Sequence, residues 1–329
     1  MDLTGTDYGG VFRGRRVLVT GGAGFIGSHL TARLIDLDAE VRIIDDLSTG
    51  HAANLPDNGV SAVKASILDD RAVRHAMTGC DFVFHEAAMV SVAESVADPL
   101  RCTDINLTGT QRLLEAARDL SVQRVIFASS AAAYGEAAQL PCREDRPPDC
   151  HSPYAASKVA GEALMSAFAR CFDVDTVSLR YFNIFGPRQD PKSPYAAAIA
   201  AFADAFAERR RPTVFGTGRQ TRDFTYIDNV VHANLLAAAH VERLNGHIMN
   251  IGTGAQITLL AVIDALADYH GVSVEPIFED PRPGDVMHSV ADISAARDTL
   301  GYEPIVDFRT GVQRTLESMN GRASTASPA

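Results

Sequence analysis

Thr20-Gly21-Gly22-Ala23-Gly24-Phe25-Ile26-Gly27 lies between two stretches of different periodicity. Before it, Arg16–Thr20 is a short apolar run of strand type. After it, residues 25–37 place Ile26, Leu30 and Leu34 on one helical face. The stretch is therefore a turn from strand to helix. Gly21 permits a tight turn, Gly24 lets a pyrophosphate approach the backbone, and Gly27 allows close packing of helix on strand. The pyrophosphate would then meet the unpaired amides at the helix N-terminus, beside Phe25 and Ile26.

Some 20 residues further on, the strand at 41–44 ends in Asp45-Asp46, where a dinucleotide site carries its acidic residue. A carboxylate there accepts hydrogen bonds from the adenosine ribose and repels a 2′-phosphate, so NAD is expected rather than NADP. Arg42 points along the strand and offers no obvious rescue for NADP.

Further strands are read at 81–85, 124–129 and 177–181, separated by helices at Asp70–Met77, 99–120 and 154–172. Alternation of this kind implies an α/β chain with a doubly wound (Rossmann) parallel sheet. Beyond Asn183 the texture changes. A proline-rich loop at 186–194 is followed by a helix at 193–210, a strand at 221–228, a helix at 229–240, a strand at 248–251 and a helix at 259–269. This half is expected to form a smaller mixed α/β substrate-binding lobe. The expected division is 1–182 plus about 226–250 for the NAD-binding domain, about 183–225 and 251–320 for the lobe, and 321–329 as a flexible tail.

Of 329 residues, 46% are hydrophobic and 22% charged, which supports a substantial core. A net charge of -11 excludes nucleic acid as a probable class of partner, because phosphate backbones need a basic surface. Cys80, Cys102, Cys142, Cys150 and Cys171 are scattered and odd in number, and none forms a C-x-x-C pair or a metal-binding cluster with histidine. Free thiols, no metal and a reducing compartment are expected. With no signal peptide or membrane-spanning run to be read, the expected location is the cytoplasm.

Tyr154 and Lys158 stand four apart and so share a helix face. An ammonium beside a phenol, together with the positive nicotinamide ring of NAD⁺, favours the phenolate, which makes Tyr154 the expected general base. The strand before them ends in Ala128-Ser129-Ser130, and Ser130 would hydrogen-bond the same reacting hydroxyl. Tyr134 is expected to serve core packing.

These residues, together with Phe84-His85-Glu86-Ala87-Ala88 and Arg180-Tyr181-Phe182-Asn183, resemble the extended short-chain dehydrogenases/reductases that act on nucleotide sugars. The likeness runs from about Arg15 to Leu316. It implies a cofactor site that adds Ser66, Ile67, Ala87 and Lys158 to the glycine turn and the aspartates. Lys158 would orient the nicotinamide ribose. Arg219-Gln220-Thr221-Arg222-Asp223-Phe224 resembles the segment that holds a UDP diphosphate, with Arg222 on phosphate. Pro281-Arg282-Pro283-Gly284-Asp285 resembles a second such segment, with Arg282 on phosphate and Asp285 on the uridine ribose. Asn183 and Ser91 complete the implied substrate contacts. Ser66-Ile67 departs from the usual aspartate and apolar residue at the adenine, and Val90 stands at a variable position.

Related dehydratases and decarboxylases carry acidic residues in the segment that here reads Ala131-Ala132-Ala133-Tyr134. Their absence points to 4-epimerisation of a UDP-hexose through a 4-keto intermediate. By the same resemblance, small residues at Ser289 and Ala197, and the string Phe185-Gly186-Pro187-Arg188-Gln189-Asp190-Pro191, imply room for an N-acetyl group. The expected pair is UDP-GlcNAc and UDP-GalNAc, with UDP-Glc and UDP-Gal as further substrates. Helices 99–120 and 154–172 resemble those of a four-helix homodimer interface. Two alternatives stay open: a UDP-glucuronate 4-epimerase or decarboxylase of the same fold, and a non-catalytic NAD-binding regulator.

Overall fold

The computed structural model describes residues 8, 10–56, 58–136, 139–190, 198–281 and 286–325. A seven-stranded parallel sheet forms its centre, from β1 (Arg16–Thr20), β2 (Glu40–Asp45), β3 (Val60–Lys64), β4 (Phe82–His85), β5 (Arg124–Ser130), β6 (Asp175–Tyr181) and β7 (His247–Ile251). The spatial order is β3-β2-β1-β4-β5-β6-β7. Chain direction across the sheet reverses between β1 and β4, and ligands bind at the carboxyl ends of strands beside such a switch point.

Strands buried on both faces need apolar residues throughout, and β4 (Phe-Val-Phe-His) is buried along its whole length. Alternate residues feed two cores. Val17, Val19, Ile43 and Phe84 face one side, with α1 (Phe25–Asp36) and α8 (Ile227–Ala239) packed there. Leu18, Ile44, Val83 and Phe127 face the other. That side carries α2 (Asp70–Met77), α5 (Gly109–Asp119) and α6 (Pro153–Cys171). Short helices α3 (Val92–Ala97) and α4 (Pro99–Thr103) precede α5.

The expected helix over 99–120 is interrupted. Asp104–Thr108 is a π-type turn between α4 and α5. Here the Asn106 side chain turns inward, accepting from the Met89 amide at 2.7 Å and donating to the Met89 carbonyl at 3.0 Å. The expected strand over 221–228 also divides, into Thr221–Arg222 and Thr225–Tyr226, and α8 starts at Ile227. The cause is Asp223, whose buried carboxylate accepts from the amides of Thr253, Gly254 and Ala291 and from the Thr253 hydroxyl.

The second half contributes α7 (Ala198–Ala207), α9 (Leu259–His270), α10 (Ser294–Leu300) and α11 (Phe308–Thr325). Three ladders link them: 184–185 with 225–226, 221–222 with 257–258, and 213–215 with 277–279. Helix α11 continues past Gly321, where the sequence places the start of a tail. After building part of this lobe the chain returns through α8 to β7, which pairs with β6. No helix among the described residues is long and apolar enough to cross a membrane.

Candidate active site

The turn after β1 is set by sterics. Gly21 has φ +69°, and a Cβ on it would lie 2.9 Å from the Ala87 nitrogen. A Cβ on Gly27 would lie 2.2 Å from the Gly21 oxygen. Gly22 is equally constrained, since its Cβ would meet the Ile43 side chain at 2.5 Å. Helix α1 begins at Gly24 with no side-chain cap and no acid in its first turn. Its leading amides are thus presented to a ligand.

Asp45 ends β2 and takes the Ala23 amide at 2.9 Å and the Leu47 amide at 2.8 Å, one on each oxygen. Each oxygen keeps acceptor capacity for a sugar hydroxyl. Asp46 accepts from the Ser48 amide. Arg42 is spent elsewhere, donating to the carbonyls of His75, Ala76 and Thr78 at the end of α2. Ser66 accepts from the Leu68 amide, and Ile67 is buried against Gly109, where a Cβ would approach it to 2.7 Å.

Helix α6 positions the reactive pair. Ser152 caps it, Pro153 opens it, and Ser95 accepts the Tyr154 amide at 3.1 Å. Gly161 lets the helix lie on the ring of Phe127, 2.5 Å from where a Cβ would stand. Lys158 is buried, donates to the Ala128 carbonyl at 2.8 Å and sits 5.0 Å from the Phe127 ring centroid. Ser130 ends β5 and accepts from the Ala132 amide.

Burial pushes the Tyr154 phenol above its ordinary 10, against the opposing pull of a hydrogen bond with Ser130. The ammonium lies 5.9 Å from the Tyr154 ring centroid, over the ring, and spends a hydrogen bond on Ala128. Burial also draws Lys158 down to about 8. Within this chain the phenol is thus a neutral donor near pH 7, and a further positive charge is needed to make it a base.

Behind the pair lies a polar chain that the sequence did not disclose. Thr110 donates to the Asn106 carbonyl, so the His85 Nε2–H donates to Thr110, and the His85 Nδ1 accepts from Thr20 at 2.8 Å. Thr20 in turn accepts the Ala87 amide at 3.1 Å. Burial holds His85 neutral, with its pKa at about 3. Asn106 also donates to Ser157, which donates to the Tyr154 carbonyl. An asparagine inside a helical run was the available signal, since its side chain competes for backbone groups. Glu86 was a second signal, an acid in an otherwise apolar stretch. Tyr134 is buried as expected, stacked 4.7 Å from the Arg180 guanidinium and donating to Asn250.

One cavity of about 1150 Å³ joins these parts. Gly21, Gly24, Phe25, Ile26, Gly27, Asp45, Asp46, Ser66, Ile67 and Ala87 line one end. Ser130, Tyr154 and Lys158 line it beside Ser91, Asn183, Arg222 and Ser289. Arg222 donates to the Thr221 carbonyl at 2.9 Å and the Ser289 amide donates to the same carbonyl at 3.1 Å. Asn183 donates to the Asp223 carbonyl at 3.3 Å. Ala197, Arg282 and Asp285 lie outside the described residues.

Known proteins resemble this chain in sequence and fold. A UDP-glucose 4-epimerase of Mycolicibacterium smegmatis is 38% identical over 94% of this chain and 99% of its own. A UDP-N-acetylglucosamine 4-epimerase from Methanobrevibacter ruminantium M1, solved with UDP-N-acetylmuramic acid, is 36% identical and superposes with a TM-score of 0.90 over 94% of this chain and 100% of its own. A UDP-glucuronic acid 4-epimerase from Bacillus cereus, solved with UDP-glucuronic acid and NAD, is 31% identical with a TM-score of 0.86, over 93% of this chain and 99% of its own. The family model for NAD dependent epimerases/dehydratases matches residues 17–252, which span the glycine turn, the reactive pair and the closing strand. With that match and these relatives, the chain belongs to the NAD dependent epimerase/dehydratase family.

Proposed function

We propose that this protein is a 4-epimerase of UDP-hexoses that interconverts UDP-GlcNAc and UDP-GalNAc and accepts UDP-Glc and UDP-Gal. The observation that carries the reading is the single cavity in which the glycine turn meets Tyr154, Ser130 and Lys158 on one side and Arg222, Asn183 and Ser289 on the other. The names of the two 4-epimerases above support the substrate class.

Gly21–Gly27, Asp45, Asp46, Ser66, Ile67 and Ala87 would hold NAD, which when bound would supply the hydride acceptor and donor and a positive charge that favours the phenolate. Tyr154 takes the proton of the sugar 4-hydroxyl, and Ser130 holds that hydroxyl in line. Lys158 orients the nicotinamide ribose. Arg222, and by sequence Arg282 and Asp285, anchor the UDP while the 4-keto sugar turns its other face. Binding energy spent on the nucleotide thereby restrains a reactive intermediate. Tyr154 then returns the proton and C4 is inverted. Ala131 and Ala132 line the cavity with methyl groups, so no carboxylate is provided there for dehydration or decarboxylation.

We further propose a homodimer built on α6. Its outer face exposes Ala156, Ala163 and Ala167 beside half-buried Val159, Ala160 and Leu164, without a charge among them, and Leu100 on α4 is 79% exposed. Light scattering is expected to return twice the chain mass; a monomer would reject this. A panel of UDP-GlcNAc, UDP-Glc and UDP-glucuronate, with products separated and released CO₂ measured, tests the reaction. C4-epimers of the first two support it. Turnover of the glucuronate alone would favour the reading that the Bacillus cereus enzyme represents.

A further inference from the structure

Helix α6 starts against the cavity wall, and one side chain joins the two. In its first turn Pro153 has no N–H, and Ser152 takes the amides of Ala155 through its Oγ at 3.1 Å and of Ala156 through its carbonyl at 3.0 Å. The Tyr154 amide is left over. Its acceptor comes from outside the helix, the Ser95 Oγ on α3, at 3.1 Å. Ser95 is 0% exposed and donates its own proton to the Val92 carbonyl at 2.6 Å. A hydroxyl has one proton and two lone pairs, so that bond reserves the lone pairs for the amide.

The Tyr154 carbonyl is held as well. Ser157 donates to it at 2.7 Å and accepts from Asn106, which also donates to the Met89 carbonyl. Both chains of bonds lead to one segment, residues 89–96. Met89, Val90, Ser91, Val92, Glu94 and Val96 of that segment line the cavity. Val92 and Val96 stand one turn apart on α3 and are 48% and 62% exposed, in contrast to Ser95 beside them. One face of this short helix therefore borders the cavity, and another grips the backbone of the residue that carries the phenol.

We propose that Ser95 is a positioning residue: it fixes the backbone of Tyr154 against the wall formed by residues 89–96, and it acts on the reaction through Tyr154 without touching the substrate. The proposal rests on the role given to Tyr154 above. Proton transfer needs the phenol within hydrogen-bond reach of the reacting hydroxyl, so a small displacement of Tyr154 lowers the rate. Arg222 and Asn183 stand on other elements, so ground-state binding of the nucleotide sugar is left in place.

Ser95→Ala removes the bond together with the hydroxyl. Ser95→Cys keeps most of the volume and offers a much poorer acceptor. Asp307→Ala is the control, because it removes an N-cap of the same kind, from the Thr310 amide of α11, at a residue outside the cavity lining. In NAD-loaded protein, hydrogen exchange resolved to single residues should show the Tyr154 amide exchanging about tenfold faster in both Ser95 variants than in wild type. With UDP-GlcNAc or UDP-Glc as substrate, kcat should fall about tenfold in both, with KM within about twofold of wild type and NAD content unchanged. Asp307→Ala should lose a comparable amount of unfolding free energy and keep the wild-type kcat. Unchanged kcat in a folded Ser95 variant overturns the proposal, as does an equal fall in Asp307→Ala, or a rise in KM with kcat retained. Should Ser95→Ala fail to fold, Ser95→Cys carries the same test. Exchange needs no turnover. Wild-type protein inactive on every UDP-sugar would refute the proposed reaction, and the exchange rate at residue 154 would still decide whether Ser95 holds this backbone.

Discussion

On its sheet side the cavity is lined by backbone: glycines at 21, 24 and 27, the open start of α1, and a strand end that carries Asp45. On the lobe side it is lined by side chains, Arg222 on a two-residue ladder and Ser289 beside the single bridge of His288 to Thr221, with the carboxylate of Asp223 tying the neighbouring segments together. The first surface is fixed by close contacts that tolerate no added atom. The second is fixed by a few polar bonds around one residue. On the function proposed above, the cofactor would be gripped by sterics, while substrate choice would rest on parts that can change without disturbing that grip.

The most drastic way to challenge the contrast is Gly27→Val. Its side chain would occupy the place of the Gly21 oxygen, so NAD binding should be lost altogether. Purified variant that still releases NAD on denaturation would break the steric account. Next in size is Tyr154→Phe, for which kcat should fall by about 10²–10⁴ with NAD content and UDP-sugar affinity retained, by direct assay and calorimetry. Near-normal turnover would remove Tyr154 as the base.

Asp223→Ala tests the other side. It leaves four donor groups without their acceptor, and unfolding free energy should drop by about 3 kcal/mol in urea titrations. KM for the UDP-sugar should rise about tenfold with NAD content unchanged, a ratio set by about 1.4 kcal/mol of lost positioning. Loss of NAD to the same degree would mean that the two sides are not independent. The mildest change is Ser289→Tyr, expected to depress kcat/KM for UDP-GlcNAc roughly tenfold relative to UDP-Glc. An equal loss on both sugars would deny Ser289 its gatekeeping role.

The same contrast governs what could be read from the sequence. The strand-to-helix turn, β2 with its aspartate, and the Tyr154/Lys158 pair were legible because each is a local pattern of spacing and residue type. Strand β3 was not. It is an edge strand, and Ser61, Ala62 and Lys64 are exposed, so no apolar period marks it. The π-type turn at 104–108 escaped because a shift in backbone pairing leaves no trace in composition. The His85 chain and the inward turn of Asp223 both depend on which elements meet in space. Sequence spacing sufficed to place Lys158 by the Tyr154 ring, while the burial of both could be read only from the packed structure.

The order of β6 and β7 has a consequence for synthesis on the ribosome. Residues 175–181 have their β5 partner already synthesised when they emerge, but the partner of their other edge, residues 247–251, arrives later. That is about 70 residues later, several seconds at translation rates of ~5–20 residues per second. Throughout that interval a row of unpaired backbone N–H and C=O groups is open to pairing with other nascent chains. Slow codons between these two strands should therefore lower soluble yield, and the same codons placed after residue 251 should not.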